Sequence, residues 1–264
     1  MDFTAVGKTD RGLVRANNED EFYLDEKLGL LVVADGMGGH ASGEVASKLA
    51  VNVIRDYFQG PQKLIGRSHP AYSEATNKLN CAIRLANQAV YEVAQSSPVL
   101  KGMGTTIVAV LLTGNKLSIA HIGDSRAYLL RAGNIDQLTD DHTMVNEQVR
   151  RDIITKEEAD RSEMKNVLTK ALGISAKMEA DLDELTMFGD DILFLCTDGL
   201  STMVTDEAVL KIISHTGDFG AVCDMLINAA NKKGGKDNIT VIVGQIKKKK
   251  WYASLFKFLE FFRR

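Results

Sequence analysis

The chain has 264 residues, 45% hydrophobic and 25% charged, with 22 glycines and 3 prolines. That composition excludes collagen-like, low-complexity and disulfide-scaffold proteins, and the length suffices to bury a core without covalent staples. The net charge of −3 conceals a basic end, since from residue 247 onward seven Lys or Arg stand against one Glu; the acidic body this leaves does not suit nucleic-acid backbone and does suit cations.

The first residues, MDFTAVGKTDRG, show no charged region followed by an apolar stretch, and no apolar run approaches the roughly 20 residues that span a bilayer. A cytoplasmic location is expected. Short apolar runs rich in β-branched residues, bounded by Gly or Asp, predict strands at 30–34, 107–112, 117–122, 127–130, 192–196 and 239–243. Apolar spacings of three and four predict amphipathic helices at 45–58, 74–95, 207–215 and 222–232. Hairpin-sized links at Thr113-Gly114-Asn115 and Arg131-Ala132-Gly133-Asn134 favour antiparallel pairing, so the class is α+β. The three cysteines, Cys81, Cys196 and Cys223, form no C-x-x-C pair and read as reduced core thiols. One domain is expected over residues 1–246, with a charged, weakly helical flap at 144–165 and a basic amphipathic tail over 247–264.

Four aspartates stand at the edges of those strands: Asp35, Asp124, Asp198 and Asp237. A lone Asp-Gly is usually a turn, but four aspartates at comparable strand ends point to side chains presented to a ligand. If they converge, each like-charged pair near 4 Å repels by about 4 kcal/mol at an effective dielectric of 20. Several such pairs would rival the whole stability of a domain, about 5 to 15 kcal/mol. An ionised cluster of this kind therefore needs divalent cations, and an all-oxygen donor set selects Mg2+ or Mn2+ over zinc or copper. Two such ions sharing one carboxylate would lower the pKa of a bridging water and aim it at phosphorus. Arg15, in the polar segment before the acidic pair Glu19 and Asp20, offers a bidentate grip on phosphate oxygens.

The ordered motifs Arg15-x-x-Asn18-Glu19-Asp20, Val33-Ala34-Asp35-Gly36-Met37-Gly38-Gly39-His40, Gly102-Met103-Gly104-Thr105-Thr106, Ile122-Gly123-Asp124-Ser125-Arg126, Leu195-Cys196-Thr197-Asp198-Gly199-Leu200 and Gly235-Lys236-Asp237-Asn238-Ile239-Thr240 resemble those of the metal-dependent protein phosphatases of type 2C, in the bacterial branch. The resemblance implies two stacked antiparallel β-sheets flanked by helices, with a metal centre at one edge of the sandwich. It implies a serine/threonine phosphatase acting on phosphorylated proteins and opposing a cognate kinase. By motif match Asp35 bridges two core metals, the Gly36 carbonyl binds the first, and Asp198 and Asp237 bind the second. Asp124, with Asp198, would hold a third ion. Glu19 and Asp20 would orient metal-bound waters, and Arg15 would hold the substrate phosphate. A metal-free phosphoprotein-binding module on the same fold is the alternative reading.

Better-known eukaryotic relatives place a histidine after the Asp-Gly as proton donor, whereas this chain has Met37; His40, three residues on, reads as structural before catalytic, and the general acid stays open. The stretch Gly36-x-Gly38-x-x-Ala41 imitates a dinucleotide-binding turn, but Asp35 would face the pyrophosphate and no apolar strand ends at Asp56. Asp181-Leu182-Asp183 reads as a solvated acidic loop. In the tail, Trp251, Leu255, Phe258, Leu259 and Phe262 share one helical face beside four lysines. That pattern suits either peripheral contact with an anionic membrane or docking on the acidic body or a partner protein.

Overall fold

The computed structural model describes residues 2–38, 42–66 and 68–247. In chain order its elements are β1 (Asp2–Asp10), β2 (Asp20–Asp25), β3 (Leu30–Met37), α1 (Ser42–Gln59), α2 (Glu74–Ser96), β4 (Gly104–Thr105), β5 (Ile107–Thr113), β6 (Lys116–Ile122), β7 (Arg126–Arg131) and β8 (Asn134–Gln137). They continue with α3 (Met144–Arg150), α4 (Lys156–Arg161), β9 (Asp181–Thr186), β10 (Ile192–Cys196), α5 (Asp198–Ser201), α6 (Asp206–His215), α7 (Phe219–Lys232) and β11 (Ile239–Lys247).

The strands form two sheets, ordered β1-β11-β10-β7-β8 and β2-β3-β5-β6-β9, with β4 pairing β3. Every pairing is antiparallel. Both predicted hairpins close where expected: Thr113 pairs Lys116, and Arg131 pairs Asn134. The second turn places Ala132 at φ 51° and Gly133 at φ 81°, the doubly left-handed geometry that matches the twist of a two-residue hairpin.

Three apolar layers result. Leu31 and Val33 of β3 meet Leu193 and Leu195 of β10 and Ile242 of β11 between the sheets. The alternate residues Leu30, Val32 and Ala34 face α1 and α2 on one outer side, and Phe194, Cys196, Val241 and Val243 face α6 and α7 on the other. Strands buried on both faces explain why the sequence shows continuous apolar runs instead of alternation. The architecture is the expected helix-sheet-sheet-helix sandwich. All three cysteines are buried and free.

Asp181-Leu182-Asp183 is not a solvated loop but the start of β9, which pairs with β6 from His121↔Asp181 to Lys116↔Thr186. The stretch 144–165 carries α3 and α4, the latter opened by a reciprocal cap between Thr155 and Glu158. His40 and the tail beyond Lys247 lie outside the described residues. Among the described residues no helix is long and apolar enough to cross a membrane.

Candidate active site

At one end of the sandwich the layer between the sheets changes from apolar to polar without a break in strand period. Phe22 and Leu24 of β2, Leu31 and Val33 of β3, Leu193 and Leu195 of β10 and Ile242 of β11 line that layer. Two residues further along the same faces stand Asp20, Asp35, Thr197 and Thr240. Asp20 Oδ2 accepts from Thr197 Oγ1 at 2.9 Å and from Thr240 Oγ1 at 2.7 Å, so one carboxylate ties the two sheets together at the rim. Asp20 Oδ1 is buried with no hydrogen-bond partner.

Above this rim opens a cleft of about 630 Å³ whose walls include Arg15, Glu19, Asp35, Asp124, Asp198 and Asp237. The structure thus brings together the four expected aspartates, from the end of β3, the β6–β7 link, the start of α5 and the link into β11. Their electrostatics are those of crowded acids in a poorly solvated place. Burial, followed by the charges of Asp20, Asp198, Asp124 and Asp237, raises the Asp35 carboxyl well above the carboxylate range. Burial, then Asp198 and Asp141, pushes Asp124 up to about 8. Burial, then Asp237, pushes Asp198 to about 6. Asp20 rises to about 7, chiefly by burial against the opposing hydrogen bonds of its two threonines. Protons or bound cations must relieve this repulsion.

The loop carrying Arg15 is held by a residue that carries no role in the sequence reading. Asn238 accepts from the Glu19 N–H at 2.8 Å and donates from Nδ2 to the carbonyls of Arg11 and Asn17, both at 2.9 Å. Arg15 itself donates to Asp237 Oδ2 at 2.6 Å; it sits at the cleft mouth paired with a candidate metal ligand, with its side chain half exposed. Glu19, raised chiefly by burial, lies beside the Gly36–Gly43 approach. There the Gly36 N–H donates to the Glu19 carbonyl at 3.1 Å, and a Cβ on Gly36 would collide with the Gly43 and Glu19 backbones. Only glycine lets three chain segments meet behind Asp35.

Thr106 is a second unassigned support. Its hydroxyl accepts from the Asp35 N–H at 3.0 Å and bonds Ser125 Oγ at 2.7 Å, while its own N–H donates to the Asp35 carbonyl at 2.8 Å. The Gly-Met-Gly-Thr-Thr motif carries it in plain sight, but nothing in its letters says that it grips Asp35. Met37 also lines the cleft and offers no proton.

The family model described as protein phosphatase 2C matches residues 14–241. The chain belongs to the protein phosphatase 2C family. Among its relatives, this phosphatase 2C chain is 38% identical over 239 residues to the serine/threonine phosphatase stp of Listeria innocua, covering 89% of this chain and 93% of that one. It is 39% identical over 241 residues to the serine/threonine protein phosphatase PstP of Mycobacterium tuberculosis, 91% of this chain but 44% of that longer protein. A crystal structure of the Mycobacterium tuberculosis phosphatase superposes with a TM-score of 0.84 at 38% identity, covering 93% of this chain and 99% of that one. A crystal structure of the PstP catalytic domain in complex with two manganese ions gives a TM-score of 0.82 at 38% identity, with the same coverage of 93% and 99%.

The family's metals fit the residues present. The donor set at the cleft floor is all oxygen, Asp35, Asp124 and Asp198 are driven toward protonation by burial and by neighbouring acids, and Asp198 Oδ1 is buried without a hydrogen-bond partner. An acceptor of that kind is costly unless a proton or cation reaches it. Hard divalent ions satisfy all three conditions.

Proposed function

We propose that this cleft hydrolyses phosphoserine and phosphothreonine esters of proteins by direct attack of water, with no covalent enzyme intermediate. The chain is a metal-dependent protein serine/threonine phosphatase. The single observation that carries the reading is the convergence of Asp35, Asp124, Asp198 and Asp237 on one cleft with Arg15 at its mouth. A metal-free binding module would have no use for Asp35, Asp124 and Asp198 held together where burial and neighbouring charge raise the pKa of each, and the named relatives are phosphatases.

In this reading Asp35, the Gly36 carbonyl, Asp198 and Asp237 would hold two core ions, and Asp124 with Asp198 a third. Bound there, Mn2+ or Mg2+ supplies neutralisation of the phosphate and a water acidified to a nucleophile. Asp35 stays in place because Thr106 holds its N–H and its carbonyl. Glu19 and Asp20 orient water from behind, Asp20 through the oxygen that its two threonines leave free. Arg15 exchanges its bond to Asp237 for two phosphate oxygens, since its planar fork matches both. Burial of the acids excludes competing solvent and strengthens each of these contacts.

Phosphorylated proteins are the substrates, and we infer a serine/threonine kinase as the opposing activity. The segment 144–165, with α3 and α4, is proposed as the flap that selects among substrates from a domain spanning 1–246. A cytoplasmic location and membrane contact through 247–264 rest on the sequence alone. Co-sedimentation with anionic vesicles, with and without residues 248–264, tests that contact; equal binding refutes it.

The decisive assay is hydrolysis of a phosphothreonine peptide with Mn2+, repeated with chelator and with Asp35→Ala and Asp198→Ala. Loss in all three controls is expected. Activity surviving chelation would overturn the metal assignment.

A further inference from the structure

Behind Asp124 lies a closed polar network that the reaction scheme above leaves unused. The rings of His121 and His142 stack with centroids 4.8 Å apart and planes 14° from parallel. His142 grips one residue twice: the Gly123 N–H donates to His142 Nδ1 at 3.1 Å, and the His142 N–H donates to the Gly123 carbonyl at 3.0 Å. With Nδ1 as acceptor, the ring proton resides on Nε2, where Asp181 Oδ2 lies 3.3 Å away. Burial, with His121 and Lys170 alongside, lowers the pKa of His142, in keeping with a neutral ring. Lys170 Nζ stands 2.8 Å from Asp181 Oδ1 and 3.3 Å from His142 Nε2. The trio His121, His142 and Asp181 has the spacing of a metal site, but the Lys170 ammonium already serves as its cation.

Gly123 immediately precedes Asp124 and adopts φ +102°, with Thr106 filling the space of a Cβ. It cannot shift without disturbing Thr106, which holds Asp35. On the other side of His142, the Thr169 N–H donates to the His142 carbonyl at 2.8 Å and the Met144 N–H to the Val167 carbonyl at 2.8 Å. Three residues on, Leu172 pairs with Thr105, whose hydroxyl donates to the Asp35 carbonyl at 2.8 Å. The limb 167–172, by which the chain returns from 144–165, is therefore stitched to the backbones of both Asp35 and the residue before Asp124.

We propose that His142 is a positioning residue for Asp124, fixing the preceding peptide through Nδ1 and locking it, through Asp181 and Lys170, to the limb that returns from 144–165. The inference rests on the reading of Asp124 as a metal ligand. Its consequence is that metal retention at Asp124 depends on a side chain that touches neither metal nor substrate.

The test compares His142→Ala with His142→Asn, whose carbonyl replaces Nδ1 as acceptor for Gly123 but does not extend to Asp181. Mn2+ is titrated calorimetrically into chelator-treated protein, and kcat and KM are measured on a phosphothreonine peptide at saturating Mn2+. His142→Ala is expected to weaken the lowest-affinity Mn2+ step about tenfold or more, as losses behind a metal ligand do, and to lower kcat with KM nearly unchanged. His142→Asn recovers part of that affinity, because it restores the acceptor for Gly123 but not the link to Asp181. Equal Mn2+ binding by the unaltered protein and His142→Ala overturns the proposal, and so does an equal loss in both variants. If His142→Ala does not fold, Asp181→Ala decides: it leaves the ring but frees it, weaker Mn2+ binding at the same step supports the proposal, and unchanged binding overturns it. An unaltered protein that binds no Mn2+ would instead sink the metalloenzyme reading itself.

Discussion

Asp20 and Asp35 are directly opposed residues of neighbouring antiparallel strands, the last pair in the β2–β3 register. Like charges in that relationship destabilise a sheet; burial raises both carboxyls, Asp20 to about 7, and the charge of Asp20 raises Asp35 further. The pair marks where the sandwich gives up stability for a rim of crowded acids.

From it follows a pH dependence for the metal-free protein. Acids whose pKa is higher folded than unfolded hold extra protons in the folded state between the two values, so stability falls as pH rises through that window. With Asp198 at about 6, Asp20 at about 7 and Asp124 at about 8, the chelated protein should lose stability steadily from pH 5 to pH 8. A drop in melting temperature of more than about 5 °C is expected for a chain of this size, and saturating Mn2+ should abolish most of it. Differential scanning calorimetry across that range, with and without chelator, reads both; a flat profile for the chelated protein would contradict the crowding.

The same crowding sets stability against function at a single residue. Asp198→Asn removes one charge from the group while keeping its shape, and a shift of one pKa unit corresponds to about 1.4 kcal/mol. The chelated variant should therefore be more stable than the chelated parent at pH 7.5 by at least about 1.4 kcal/mol, and so melt higher, while phosphopeptide hydrolysis is lost. Thermal melts and the peptide assay on the same preparation check the opposite signs.

Arg15 is held by hydrogen bond and charge to Asp237 at 2.6 Å, and its proposed task is phosphate. Charge-assisted hydrogen bonds contribute about 1.5 to 3 kcal/mol each, so Arg15→Ala should lower kcat/KM on a phosphothreonine peptide about 10- to 100-fold. Arg15→Lys should restore only part of it, because an ammonium cannot reproduce the two-pronged grip. Steady-state kinetics at saturating Mn2+ separates this from a metal defect: a variant rescued fully by more Mn2+ would place Arg15 with the ions instead of the phosphate.

Legibility followed burial. Asp35, Asp124, Asp198 and Asp237 were visible because each closes or adjoins an apolar run, and the interior strands β3, β5, β6, β7, β10 and β11 were visible for the same reason. Apart from the two-residue β4, the strands without an apolar signature, β1, β2, β8 and β9, are the four sheet edges. Edge strands carry charges that keep other chains from adding on, and in β2 (DEFYLD) and β9 (DLDELT) those charges imitate loops. That is why Asp181 read as a solvated acid, and why its link to His142 had no trace in the letters. Thr197 and Thr240 were hidden differently: each sits inside a recognisable motif, but their shared partner Asp20 lies more than 170 residues away in the chain.

Asn238 shows the cost of such hidden links most clearly, since the letters place it in the motif of Asp237 but give it no task of its own. In the fold it is buried and makes three hydrogen bonds across the chain, to Arg11, Asn17 and Glu19, pinning the loop that presents Arg15 beside Asp237. At about 1 kcal/mol per bond, with a further penalty for each buried group left unpaired, Asn238→Ala should destabilise the protein by about 3 kcal/mol. Asn238→Asp keeps the acceptor for the Glu19 N–H but cannot donate to the two carbonyls, and it adds a charge to an already acidic rim. It should therefore be at least as destabilised without metal, yet recover more than the alanine variant when Mn2+ is added. Urea denaturation of both variants, with and without Mn2+, supplies the comparison. Equal recovery by the two would show that Asn238 serves the loop alone and has no bearing on the charged cleft.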